Sequence, residues 1–84
     1  MPSNDDQPDV AFTRALATSL RAAKERSPYS IRSLAAQAGV GTSTVQRYLN
    51  GSREIPVPAL RRMARLLGTT AGALMDEAEQ SLRH

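Results

Sequence analysis

Five residues offer the most specific chemistry in this sequence: Thr42, Ser43, Gln46, Arg47 and Asn50. At helical spacing they share one face, opposite Val45 and Tyr48. Each can donate a hydrogen bond and none is acidic. Gln pairs bidentately with adenine and Arg with guanine, whereas Ser and Thr accept several partners. A merely solvated helix face usually mixes Glu with Lys in i,i+4 pairs, and this face does not. The chemistry on offer is hydrogen bonding to base edges rather than bond breaking. Catalysis has little to draw on, because the single histidine, His84, is the last residue and cysteine is absent. Glu25 and Glu54 are isolated, and no glycine-rich loop leads into a lysine. No enzyme activity, cofactor or metal is expected.

Such a face works only if short helices hold it rigidly, and the periodicity supplies them. Phe12, Leu16, Leu20 and Ala23 mark a first amphipathic helix over about 9–26, stopped by Ser27-Pro28. Ser30 is the expected N-cap of a second helix, Ile31–Ala38, with Tyr29 placed to staple onto Leu34. Gly39 ends that helix as the residue tolerant of a left-handed conformation. Val40 and Gly41 complete a tight turn into a third helix, about 42–50, which Gly51 ends. Pro56 and Pro58 belong at the start of a fourth helix, where a missing N–H costs nothing. Val57, Leu60, Ala64 and Leu67 give its buried stripe, and Gly68 closes it. Thr69 or Thr70 caps a fifth segment that buries Leu74 and Met75. The predicted fold is all-α: five short helices, no strand, and one core containing Leu20, Leu34, Ala35, Val45, Leu60, Ala64 and Leu67. Residues 1–8 read as a disordered arm, 9–78 as the folded domain and 79–84 as a flexible tail.

Charge is distributed in blocks. Residues 1–9 carry Asp5, Asp6 and Asp9, while 76–84 carry Asp76, Glu77 and Glu79 against Arg83. The stretch between holds ten of the eleven basic residues and two acidic ones, a local net charge of +8 against +3 for the whole chain. A basic body suits a polyanionic partner. An 84-residue chain buries only about 60% of its unfolded surface, so its core is modest. Lack of cysteine fits a reducing compartment and excludes a disulfide framework. The polar, acidic start does not resemble a signal peptide, and no apolar run has membrane-spanning length. A cytoplasmic protein is expected.

The segment Ser30–Asn50 contains two short helices joined by a three-residue turn that begins with glycine, with Leu34, Ala35, Ala38, Val40, Val45 and Tyr48 apolar. Together with Leu34-Ala35, Gly39-Val40, Thr44-Val45, Asn50-Gly51, Met63-Ala64 and Leu67-Gly68, the stretch from about Leu20 to Met75 resembles the phage repressor and Cro-like helix-turn-helix family. That resemblance implies a lambda-repressor-like fold whose third helix enters the major groove of double-stranded DNA. It implies Thr42, Ser43, Gln46 and Arg47 at base edges. It also implies phosphate contacts from Ser30, Ile31, Arg32, Asn50, Ser52 and Arg53. The sequence departs from the family pattern at three places. Ile31 replaces a frequent Gln, so only its backbone N–H can serve a phosphate. Gly41 stands where a Ser or Thr cap is usual. Leu49 replaces a Glu that would pair with a basic residue of the first helix, where Lys24 stands.

The function implied is a transcriptional regulator, a Cro-like repressor acting as a homodimer on an operator, with a dimer surface expected around Leu74, Met75 and Ala78. An antitoxin, using the same fold to bind DNA and a toxin through its acidic ends, is the alternative. Arg14, Arg21, Arg61, Arg62 and Arg65 could reach the DNA backbone or be solvated, and solvation is the expectation. Tyr29, Tyr48, Phe12 and Met63 are expected in the core.

Overall fold

The computed structural model describes residues 9–83, so the predicted arm at 1–8 lies outside the described residues. Five helices follow in order: α1 (Val10–Glu25), α2 (Ile31–Ala38), α3 (Thr42–Leu49), α4 (Val57–Leu66) and α5 (Ala71–Ser81). No strand occurs among the described residues. Local chemistry sets most boundaries. Asp9 caps α1 by accepting from the Phe12 N–H at 3.0 Å. Ser30 accepts from the Ser33 N–H at 3.0 Å, and Ser33 Oγ accepts from the Ser30 N–H at 2.9 Å, a reciprocal capping box. Thr70, of the two candidate threonines, caps α5 through the Ala73 N–H at 3.0 Å. Pro56 is the N-cap of α4 and Pro58 lies in its first turn.

Three helices end alike. Gly39, Gly51 and Gly68 take φ of 70°, 78° and 79° after α2, α3 and α4. The N–H of the residue following each glycine returns to the last turn: Val40 to the Ala35 carbonyl, Ser52 to Arg47 and Thr69 to Ala64. These are the bonds of the Schellman motif. Gly51 is constrained twice, because a Cβ there would stand 3.3 Å from Arg14 Cγ and 3.4 Å from Arg14 Cα. Nothing lies within 4 Å of a Cβ at Gly39 or Gly68. Gly39→Ala and Gly68→Ala should therefore each cost about 1–2 kcal/mol for the left-handed backbone alone. Gly51→Ala should cost more than either, and urea unfolding of the three variants checks the order.

The helices converge on one core. Leu20, Leu34, Val45, Met63, Ala64 and Leu74 are fully buried, with Leu60, Ala35 and Ala78 almost so. α5 lies along α1, α2 contacts both α3 and α4, and α1 braces α3. Ser19, on the α1–α5 seam, satisfies its hydroxyl by donating to Glu77 Oε2 at 3.2 Å. Of the predicted core, Leu67 is only half-buried, since it is the C-cap of α4 rather than an interior position.

One expectation about the C-terminal part changes. Helix α5 runs from Ala71 to Ser81. Leu74 and Ala78 face inward at 0% and 1% exposure. They complete the core and cannot form a dimer surface; of that trio only Met75 keeps partial exposure. No helix among the described residues is long and apolar enough to cross a membrane.

Candidate nucleic-acid interface

Helix α3 is eight residues long and strongly two-sided. Val45, Tyr48 and Leu49 are buried at 0%, 4% and 6% exposure. Thr42, Ser43, Gln46 and Arg47, with Asn50 as the C-cap, are all exposed. The face read from spacing is thus a continuous outer surface of the fold. Its start carries no side-chain cap, because Gly41 is the N-cap. The first turn of backbone N–H groups stands there with the hydroxyl side chains of Thr42, Ser43 and Thr44.

The other candidates surround α3. At the start of α2, the Ser30 carbonyl and hydroxyl take the N–H groups of Leu34 and Ser33. Ile31 and Arg32 therefore present the outermost backbone donors of that terminus, where a helix favours anions. Ser30 Oγ also lies 3.0 Å from Ser33 Oγ, so much of its hydrogen-bonding capacity serves the cap. Past α3, Asn50 Oδ1 accepts from the Ser52 N–H at 2.9 Å, a local turn that leaves the amide nitrogen of Asn50 as its outward donor. Arg53 is exposed in the loop that this turn shapes.

Two open clefts bring these residues together in groups. One, of about 240 Å³, is lined by Ile31 from α2, by Gln46, Leu49 and Asn50 around α3, and by Arg21, Lys24 and Glu25 from α1. The other, of about 560 Å³, joins Ser52, Arg53 and Glu54 of the loop to Val10, Thr13 and Arg14 of α1. Ile31 and Asn50 thus share the cleft that α3 lines, and Ser52 and Arg53 share the one that the loop after α3 forms with α1. Ser30 and Arg32 line neither cleft. Among the described residues, no group of three or more His, Cys, Asp or Glu side chains is placed to hold a metal ion.

Two of the arginines, exposed as expected, each also hold a main-chain carbonyl. Arg21 donates from a terminal guanidinium nitrogen to the Leu49 carbonyl at 3.0 Å, and Arg62 donates from Nε to the Ala38 carbonyl at 2.9 Å. Both carbonyls stand at helix C-termini, where unpaired C=O groups and the dipole favour a cation. α3 is therefore fastened to α1 through the backbone of the residue where the side chain offers no charge, while Leu49 itself packs into the core. α2 is fastened to α4 in the same way. No spacing rule exposes such bonds, since any residue supplies the carbonyl.

Comparison with known proteins places this geometry. A family model described as a helix-turn-helix domain matches residues 15–78. The chain belongs to the helix-turn-helix domain family. The matched span runs from the first half of α1 to Ala78 in α5, so all five helices contribute to the domain. Among solved structures, this helix-turn-helix chain is similar to the clp gene regulator ClgR from Corynebacterium glutamicum, with a TM-score of 0.80 and 22% identity over 86% of this chain and 77% of that one. At that identity the likeness is one of fold. No curated protein matches the chain.

Proposed function

We propose that this helix-turn-helix chain binds double-stranded DNA sequence-specifically, with α3 in the major groove, and acts as a transcriptional regulator of the small repressor type. The observation that carries the proposal is the outer face of α3. Thr42, Ser43, Gln46, Arg47 and Asn50 are all exposed, all donors and all non-acidic, on a helix whose opposite side is locked into the core. Gln46 and Arg47 supply the side chains best able to distinguish adenine and guanine. The exposed Arg32 and Arg53, with the α2 N-terminus, supply backbone contacts that fix register without reading sequence. The regulator named in the structural comparison is consistent with this role.

One eight-residue helix spans few base pairs. The active form is therefore a two-fold dimer on half-sites about 34–36 Å apart, one turn of the duplex. Selection of bound sequences from random duplex DNA tests both parts. The expected outcome is a pair of short inverted half-sites with about 10–10.5 bp between their centres. Recovery of no enriched sequence would remove the specific-binding proposal. Enrichment of one isolated, non-palindromic element would leave a monomeric reader and remove the dimer.

A further inference from the structure

The α1 arginines Arg14 and Arg21 each line one of the two clefts near the end of α3. They are seven residues apart, which on an α-helix returns to within about 20° of the same direction and advances about 10.5 Å. Each is positioned by the end of α3. Arg21 is anchored to the Leu49 carbonyl at 3.0 Å, which occupies one guanidinium nitrogen and leaves the fork's other donors for the cleft it shares with Lys24, Ile31, Gln46 and Asn50. The stem of Arg14 lies against Gly51, close enough that a Cβ there would touch it, and its cleft also holds Ser52 and Arg53. Each cleft contains one acid, Glu25 or Glu54, against two cations. Arg61 and Arg65 are different: they line a groove between α4 and the start of α5 that shares no residue with either cleft.

We propose that Arg14 and Arg21 form a second, sequence-independent contact element, each binding a phosphate of the DNA backbone near the C-terminal end of α3. Because the recognition helix and its terminal loop fix both side chains, the element sets how α1 sits over the duplex as well as how tightly it binds. This inference rests on the DNA-binding proposal, and wild-type protein separates the two. If wild type binds no duplex, the functional reading fails. If it binds and the variants below behave like it, only this inference fails.

The test is the slope of log affinity against log salt, measured on the duplex selected by the wild type and on a scrambled duplex. Arg14→Ala and Arg21→Gln are the informative variants, because Gln keeps a donor for the Leu49 carbonyl while losing the charge. Each should lower the slope by about one unit and weaken both duplexes by a similar factor, since one phosphate's counterions are no longer released. The double variant should lower it by about two units. Arg65→Ala, on the remote groove, should leave the slope at the wild-type value. Thermal melting of each variant separates lost contacts from lost folding. A wild-type slope in Arg14→Ala and Arg21→Gln, with both folded, overturns the proposal. So does a loss confined to the selected duplex, which would make these arginines base readers.

Discussion

Replacing Arg47 by alanine should weaken binding to the best duplex by about 1–3 kcal/mol, roughly 5- to 150-fold, and relax preference at one or two base positions. The size follows from the loss of a bidentate, charge-assisted pair in a groove where the base edge is left without its partner. Arg47 is exposed in the last turn of α3 and its side chain supports no core contact, so folding should be unaffected. The comparison that gives the result meaning is Arg53→Ala. Arg53 lies in the loop past Gly51, beside Arg14, and should contribute one phosphate contact. Its loss should weaken selected and scrambled duplexes about equally and lower the salt slope by about one unit. The two variants can lose similar affinity and still differ in kind. An unchanged ratio of selected to scrambled affinity in Arg47→Ala would remove Arg47 from the specificity residues.

Truncating Leu34 to alanine should be the most damaging single change to the scaffold. Leu34 is fully buried in the middle of α2, in the cluster where α1, α3 and α4 also meet. Removing a leucine from such a site costs about 2–5 kcal/mol, the spread depending on how far the cavity collapses. A chain of 84 residues has roughly 4–13 kcal/mol of total stability on a per-residue scale, so the loss is a large fraction. The melting temperature should fall by about 8 °C or more. DNA affinity should fall only as the folded fraction falls. Folded Leu34→Ala protein at low temperature should keep the wild-type ratio of selected to scrambled binding. Circular dichroism melts and binding assays below the transition check both statements.

The contrast between these two residues also explains what was legible in the sequence. Helix boundaries were legible because they are local: Ser30, the Thr69-Thr70 pair, Pro56 and the positive-φ glycines Gly39, Gly51 and Gly68 act within a few residues of themselves. The exposed face of α3 was legible because a 3.6-residue period sorts Gln46 and Arg47 from Val45 and Tyr48. Tertiary choices were not. Leu74 and Ala78 looked available for a partner, and only the packing of α5 along α1 shows that the core uses them. Arg21 and Arg62 are exposed, but their bonds to main-chain carbonyls leave no trace in the order of side chains. Loss of an acidic residue at position 49 suggested a missing tie between α1 and α3. The tie exists, one turn of α1 earlier than Lys24, and uses the backbone.

Amide chemical-shift mapping of the folded chain against the selected duplex reads out whether the outer face of α3 meets DNA. The predicted result is a perturbed set concentrated at Ile31 and Arg32, through Thr42–Asn50, and at Ser52 and Arg53. Arg61, Arg65 and Met75, on the α4–α5 groove, should stay near their free positions. Perturbations clustered on that groove, with Gln46 and Arg47 unmoved at saturation, would contradict the account.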